Sequence, residues 1–404
     1  MSGTIPGLPG WLERSHNLEH LTAVLRTLAK RERTRRSARS ASQHPSHPLK
    51  RHWLAHLAST VQTNAEHVAH YSIAVGSDPA YAPLNRYADI YPYDRTRVVV
   101  CPGDDSHACG SGCEAGRYLN ADWVRELWGG KWWVATQAPL PQTAHTFLSM
   151  LVEGISPPPS PNDPASVAEN RNLRSERRIR TVVQLTQNLE GGMRKAHIYF
   201  PPVEGQSWVI EPVEGRADPI EVTLVRAQTV DEAHCVRSVV RLQLLSPERA
   251  PVGDPVLFQH LLYASWPDNG VPAREDREGL LRFAKLVDDA NRDLSLYTGI
   301  ADLDPNPPIV ANCSAGVGRT GAFIALCSLL RHYGFLSPPG TEGSQAKISP
   351  LPESPLGPLP DELKDDLIVQ EIDSLREQRP GMVQRDDQVV MIYEALIAAF
   401  VSAS

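Results

Sequence analysis

The chain has 404 residues, of which 41% are hydrophobic and 22% are charged, and its formal net charge is −7. This length accommodates one large domain or two average ones, with enough apolar residues for a substantial buried core. The negative charge gives no reason to expect nucleic acid as a partner, and apolar runs such as residues 322–330 are far shorter than the roughly twenty residues of a membrane span.

The N-terminal segment, residues 1–50, is predicted to form a helix and a basic extension. Apolar residues recur at helical spacing from Trp11 to about Ala29, and a run rich in lysine and arginine follows at residues 30–39. We favour a helix docked on the rest of the chain with a solvated basic tail. An acidic partner, an anionic lipid surface or nuclear import are the alternatives for the tail.

Residues 51–404 are expected to form one domain interrupted by three loop insertions. The insertions lie near residues 102–116, 154–174 and 337–362 and are rich in polar residues or in Pro, Gly and Ser. The absence of a signal-peptide core and of an obvious disulfide framework predicts a reducing compartment, the cytoplasm or the nucleus. A zinc site is disfavoured because the spacing of the candidate ligands matches no standard motif: Cys101, His107, Cys109 and Cys113.

Three short patterns precede the most specific motif of the chain. Residues 85–89 read NRYAD. A buried-strand pattern at residues 181–185 is followed by two charged residues, Glu190 and Lys195. Residues 266–272 read WPDNGVP. Taken alone, each has an ordinary interpretation: a half-buried aromatic residue, surface charges and a turn rich in Pro, Asp and Gly.

The most specific motif lies at residues 309–323, which read IVANCSAGVGRTGAF. This pattern predicts a buried strand, a glycine-rich turn and a helix. Backbone N–H groups that converge at a helix N-terminus bind anions, and the same dipoles favour a nucleophilic thiolate at Cys313. Arg319 adds a planar fork suited to two phosphate oxygens. A lone cysteine is usually an inert core residue, but this spacing favours phosphoryl chemistry.

The loop CSAGVGRTG at residues 313–321 resembles the phosphate-binding loop of the classical protein tyrosine phosphatases, of a non-receptor, fungal-like type. The patterns described above are also similar to motifs of this family, and they occur in its order. The resemblance implies an α/β (α+β) architecture, in which a highly twisted mixed β-sheet is flanked by helices. It also implies hydrolysis of phosphotyrosine in proteins, with kinases among the candidate substrates, without a metal or another cofactor.

The resemblance assigns the catalytic roles to five residues. Cys313 is the nucleophile, and Arg319 binds the phosphate oxygens. Asp268 is the general acid that later becomes the base, and Gln384 positions the hydrolytic water. The hydroxyl of Thr320 donates a hydrogen bond to the thiolate.

The resemblance also implies a deep slot for the phosphotyrosine ring. Tyr87 forms one wall of the slot by stacking, and Asp89 accepts hydrogen bonds from the substrate backbone. Phosphoserine and phosphothreonine are too short to reach the nucleophile in such a slot, which favours tyrosine selectivity. Residues 378–388, which read QRPGMVQRDDQ, resemble the glutamine motif of the family near the C-terminus. The other substrate-binding residues are in the phosphate-binding loop and this glutamine motif: Ser314, Ala315, Gly316, Val317, Gly318 and Gln388.

Supporting roles and two departures from the family pattern complete the prediction. By resemblance, Glu190 holds Arg319, Lys195 approaches the acid, and Trp266 anchors the hinge of the acid loop. Asn312 replaces the usual histidine before the nucleophile and cannot carry a positive charge, while Asn269 stands where an aromatic residue or histidine is common. These departures keep open a phosphotyrosine-binding scaffold with weak or no catalysis; a dual-specificity phosphatase is the other alternative.

Overall fold

A computed structural model of the chain describes residues 7–43, 65–100, 116–155, 178–213, 217–267, 270–297, 303–339 and 353–403. Most of the first two predicted insertions lies outside these ranges. So do several residues named in the sequence predictions: Cys101, His107, Cys109, Cys113, Asp268 and Asn269.

A nine-stranded mixed sheet forms the centre of the described fold, and a short hairpin lies apart from it. The strands are β1 (Arg97–Val100), β2 (Arg117–Arg125), β3 (Trp132–Gln137), β4 (Thr181–Gln184), the hairpin strands β5 (Leu189–Glu190) and β6 (Met193–Arg194), β7 (Ser207–Ile210), β8 (Ile220–Val230), β9 (Cys235–Leu245), β10 (Pro251–Tyr263) and β11 (Ile309–Cys313). The spatial order of the large sheet is β1-β2-β3-β11-β4-β10-β9-β8-β7; β11 is parallel to β3 and β4, and β4 is parallel to β10. This mixed sheet confirms the predicted fold class.

Helices cover both faces of the sheet. The apolar core consists of two large clusters, one on each face of the sheet. Because side chains alternate along a strand, Ile309 and Ala311 of β11 pack in one cluster and Val310 packs in the other. No helix within the described ranges has both the length and the apolar character needed to cross a membrane. The helices are α1 (Gly10–Glu13), α2 (Leu18–Ser42), α3 (Ala65–His70), α4 (Ala144–Glu153), α5 (Arg277–Arg292), α6 (Gly318–His332), α7 (Leu367–Gln378) and α8 (Asp386–Ala403).

Helix α2 includes the basic run that the sequence predicts to be a solvated tail. Arg35 is completely buried and donates hydrogen bonds of 2.6 Å to Asp373 and to Glu377 of α7. Arg31, one turn earlier on the same face, donates to Asp373 at 2.9 Å. The expectation of a solvated tail is therefore wrong for the helix face that carries Arg31 and Arg35, because arginines at helical spacing face carboxylates of the same chain; Lys30, Arg33 and Arg36 are exposed.

Glu377 makes this helix contact sensitive to acid. Burial raises the pKa of its carboxyl, but the hydrogen bond with His70 and the charge of Arg35 outweigh burial and lower the pKa to about 2 from an ordinary value of 4.5. Because the folded-state pKa lies below the unfolded one, the stabilisation is present above pH 4.5 and is lost as the pH falls towards 2. A shift of this size corresponds to about 3 kcal/mol.

We expect Glu377→Gln to lower the free energy of unfolding at pH 7 by about 3 kcal/mol and to flatten its decline between pH 4.5 and 2. Urea unfolding at a series of pH values measures both effects. Glu278→Gln, which removes a solvent-exposed ion pair with Arg282, serves as the control and should keep the wild-type acid dependence. An equally steep acid decline in wild type and Glu377→Gln would contradict the prediction.

Candidate active site

The loop between β11 and α6 places a sulfur at the base of a ring of backbone amides. Cys313, the last residue of β11, is only 5% exposed, and the N–H of Gly316 donates to its Sγ at 3.3 Å. Gly316 has φ +73°, and a Cβ there would lie 2.1 Å from the carbonyl oxygen of Thr136. Glycine is therefore required at this position both by the backbone conformation and by the close approach of β3.

The carbonyls of this loop all face outward. Those of residues 314–317 accept hydrogen bonds from the N–H of Ala138 at 3.0 Å, from the guanidinium of Arg379 at 3.1 and 2.8 Å, and from the N–H of Gly321 at 2.9 Å. Because a planar peptide directs its C=O and N–H to opposite sides, this pattern turns the N–H groups towards the space above Cys313. The loop is thus preorganised to bind an anion.

Arg379 is a site residue to which the sequence prediction assigned no role. It is fully buried beneath the loop and also binds Asp122 at 2.7 Å and Asn120 at 3.0 Å. Burial raises the pKa of Asp122 to about 6, and the charge of Arg379 opposes this rise. The signal for this pair in the sequence was an arginine directly before Pro-Gly at residues 379–381, but its partners on β2 lie more than two hundred residues away.

Arg319 and Glu190 form a two-pronged ion pair beside the loop. The guanidinium Nη1 and Nη2 donate to the two carboxylate oxygens at 2.7 and 2.8 Å. Burial raises the pKa of Glu190, but the hydrogen bonds from Arg319 and Thr186 outweigh it and lower the pKa overall. The structure therefore brings together the arginine and the carboxylate that the resemblance pairs, with the planar group held in one orientation.

Tyr87 stands at the entrance of the site. Its hydroxyl lies 2.8 Å from Ser314 Oγ, which donates to the carbonyl of Lys195 at 2.8 Å, so Tyr87 is the donor in the first bond. The ring of Tyr87 is 37% exposed, and Asp89 is also exposed. Both side chains are accordingly open to solvent, and that of Tyr87 contacts the phosphate-binding loop through Ser314.

The structure describes the predicted acid loop, residues 266–272, up to Pro267 and again from Gly270. Trp266 is 2% exposed, and its Nε1 donates to the carbonyl of Gly270 at 3.0 Å. The carbonyl of Pro267 accepts a hydrogen bond of 3.0 Å from Arg319 Nη2. Both residues that border Asp268 and Asn269 are therefore anchored, although the predicted contact of Lys195 with the acid lies outside the described residues.

The two glutamines of the C-terminal motif lie in different environments. Gln384 is exposed, and its Cβ would be 3.5 Å from a Cβ built on Gly318. Gln388 is 4% exposed, and its Oε1 accepts from the N–H of Arg385 at 3.2 Å. A Cβ at Gly318 would come within 2.9 Å of Gln388 Nε2, so this glycine lets the glutamines approach the phosphate-binding loop closely.

One predicted interaction with the nucleophile is not formed. The hydroxyl of Thr320 is buried without a hydrogen-bond partner, so it does not donate to Cys313; the N–H of Gly316 is the donor on the sulfur. The side-chain amide of Asn312, which precedes Cys313 on β11, is also buried and unpaired. The expected hydrogen bond from Thr320 to the nucleophile is therefore absent.

Comparison with known proteins agrees with this geometry. The family described as "Protein-tyrosine phosphatase" matches residues 82–156 and 173–334, a range that includes Cys313 and Arg319 and stops before Gln384. The human "Receptor-type tyrosine-protein phosphatase H" is 29% identical over 313 residues, which are 78% of this chain and 21% of that protein. The human "Tyrosine-protein phosphatase non-receptor type 14" is 28% identical over 249 residues, 61% of this chain and 17% of that protein.

A third relative also matches most of this chain and only a small part of its own length. "Tyrosine-protein phosphatase Lar-like" of Caenorhabditis elegans is 28% identical over 329 residues, 79% of this chain and 11% of that protein. The chain therefore spans about a fifth or less of the length of these three relatives.

Proposed function

Because the chain belongs to the protein-tyrosine phosphatase family, we propose that it hydrolyses phosphotyrosine in proteins through a phosphocysteine intermediate on Cys313. One observation carries the proposal: the amide of Gly316 is directed at the Cys313 sulfur while Glu190 fixes the guanidinium of Arg319 beside the same loop. A nucleophile, an anion-binding loop and an oriented cation at one place suit transfer of a phosphoryl group.

In the first step the Cys313 thiolate attacks phosphorus opposite the tyrosine oxygen. The S–P bond forms as the P–O bond breaks, and Asp268 gives its proton to the departing phenolate oxygen. The three other phosphate oxygens carry the charge of a loose transition state, and we assign them to Arg319 and the loop amides of residues 314–319.

In the second step a water molecule replaces the enzyme sulfur. Gln384 orients the water, Asp268 accepts its proton, and the new P–O bond forms as the S–P bond breaks and Cys313 leaves as a thiolate. Inorganic phosphate is then released and the thiolate is ready for another substrate. No group outside the chain takes part in this scheme, apart from the substrate and water.

Selectivity for tyrosine is assigned to the exposed ring of Tyr87. Its hydroxyl is tied to Ser314 at 2.8 Å, which supports a ring held upright above the loop as one wall of a slot. Stacking on a substrate ring would stabilise the complex, while Asp89 would accept hydrogen bonds from the substrate backbone. Gln388 and the loop residues 315–318 complete the proposed binding site.

The first test is the initial rate of phosphate release from matched phosphotyrosine and phosphothreonine peptides, with Cys313→Ser as the blank. We expect release from the phosphotyrosine peptide only, and none in the blank. Tyr87→Ala should lower kcat/KM for the phosphotyrosine peptide by about tenfold or more, since it removes the stacking surface.

The alternatives give different results in the same assay. Tight peptide binding without phosphate release would indicate a phosphotyrosine-binding scaffold, for which the unpaired Asn312 beside the nucleophile would be an explanation. Comparable release from both peptides would indicate a dual-specificity phosphatase. Either result would contradict the proposal.

The proposed partners are phosphotyrosine-containing proteins, kinases among them. We infer the cytoplasm as the compartment, with the nucleus as the alternative, because a thiolate nucleophile survives best where the surroundings are reducing. An external acidic partner for the N-terminal basic run has less support, because Arg31 and Arg35 bind carboxylates of α7.

A further inference from the structure

Arg376 of α7 connects the N-terminal helix to the segment that precedes Gln384. Its Nε donates to the carbonyl of Met382 at 2.8 Å, and its Nη2 donates to the carbonyl of Val383 at 2.7 Å. Its Nη1 donates to the carbonyl of Leu28 in α2 at 3.1 Å. The side chain is 6% exposed, so these bonds form in a site from which water is largely excluded, where an unpaired partner is costly.

The backbone that Arg376 holds is strained. Val383 has φ +54°, a left-handed conformation that is a true outlier for a β-branched residue. Such a conformation costs on the order of 1–3 kcal/mol and persists only where surrounding contacts enforce it. Here the carbonyl of Val383 is held by Arg376, and its N–H donates to the carbonyl of Val317 in the phosphate-binding loop at 3.2 Å. These two bonds fix the direction in which the chain continues to Gln384.

Ion pairs hold α2 in the position from which Leu28 can accept this bond. The fully buried Arg35 binds Asp373 and Glu377, which flank Arg376 on the helix α7. Arg31 binds Asp373 and donates to the carbonyl of Gly357 at 2.8 Å. A chain of contacts therefore runs from α2 through Arg376 to the residue before the glutamine.

We propose that Arg376, supported by α2, is a positioning residue for Gln384 and hence for the water that hydrolyses the phosphocysteine; this inference rests on the proposed function. Releasing the Val383 carbonyl would let the strained backbone relax and would move Gln384 relative to the loop. Formation of the phosphocysteine needs Cys313, Arg319 and Asp268, so the second step is affected more strongly than the first.

A competing alcohol reports on this step directly. The phosphocysteine is attacked either by water, which yields inorganic phosphate, or by ethylene glycol, which yields 2-hydroxyethyl phosphate. In both cases a P–O bond forms, the S–P bond breaks to return the Cys313 thiolate, and the proton of the attacking hydroxyl goes to Asp268. A well-placed Gln384 favours the small water molecule, so a displaced Gln384 shifts the product ratio towards the alcohol.

The experiment uses p-nitrophenyl phosphate with a fixed excess of ethylene glycol and measures both phosphate products at steady state. We expect Arg376→Met to raise the ratio of 2-hydroxyethyl phosphate to inorganic phosphate by about tenfold, equivalent to about 1.4 kcal/mol of lost preference. The ratio does not depend on how much of the protein is folded, so partial misfolding does not imitate the effect. Arg282→Met, at a solvent-exposed position on α5, is the matched control and should keep the wild-type ratio.

Two more variants keep the test decisive. Arg35→Met should raise the ratio in the same direction by a smaller factor, because it loosens α2 without removing Arg376. Arg376→Lys keeps the charge but not the fork that reaches two carbonyls, and it replaces Arg376→Met if that variant does not fold. If the wild-type protein turns over the substrate but the variants give the same product ratio as wild type, this inference alone is overturned. A wild-type protein that releases no p-nitrophenolate overturns the proposed function and this inference with it.

Discussion

Replacing Arg319 by lysine is expected to lower kcat/KM for a phosphotyrosine peptide by about a thousandfold, roughly 4 kcal/mol of transition-state stabilisation. The guanidinium is held flat by the two carboxylate oxygens of Glu190 at 2.7 and 2.8 Å. A lysine would keep the charge but could not contact Glu190 and two phosphate oxygens in one plane. Steady-state kinetics with wild type and variant measure the loss.

An exposed arginine elsewhere in the chain provides the control for this substitution. Arg274→Lys makes the same chemical change in an exposed arginine that binds Glu394 at 2.8 Å, and it should leave kcat/KM within about twofold of wild type, as expected of a surface ion pair. Glu190→Gln should reduce activity less than Arg319→Lys, because one side-chain oxygen remains to orient the guanidinium. Near-wild-type activity of Arg319→Lys would rule out bidentate phosphate binding as the role of this residue.

Local sequence was sufficient to predict the centre of the site. Residues 309–323 carry their structure in their own pattern, since a continuous apolar run, closely spaced glycines and a following helix leave few conformations open. The mixed sheet around this loop was expected from the resemblance and is present. The pairing of Glu190 with Arg319, 129 positions apart, also came from the resemblance, because spacing alone carries no such information.

Contacts between distant segments could not be read from local patterns. Arg379 lies in the glutamine motif at residues 378–388, but its partner Asp122 is 257 positions away, and nothing in either segment identifies the other. The same holds for Arg35, whose carboxylate partners on α7 are more than 330 positions distant. A basic run is ordinarily a solvated surface, and only the position of the partner shows that Arg31 and Arg35, on consecutive turns of one helix face, pack against α7.

Asp268→Asn is expected to lower kcat for a phosphotyrosine peptide by about 10²–10⁴-fold, the range typical of a lost general acid. Tyrosine is a poor leaving group unless its oxygen is protonated as the bond breaks. Asp268 follows Pro267, whose carbonyl binds Arg319, and lies two residues before Gly270, whose carbonyl binds Trp266. The first 3.0 Å bond ties one end of the loop to Arg319 of the phosphate-binding loop, and the second 3.0 Å bond ties the other end back to Trp266.

The leaving group distinguishes loss of the acid from loss of structure. p-Nitrophenolate departs with less help from a proton, so the Asp268→Asn variant should lose less activity on p-nitrophenyl phosphate than on the peptide, whereas damage to the loop would reduce both equally. Asp276→Asn, a nearby carboxylate in loose contact with His234 at 3.8 Å, should change neither rate appreciably. An equal loss on both substrates would mean that Asp268 stabilises the loop and that another residue protonates the leaving group.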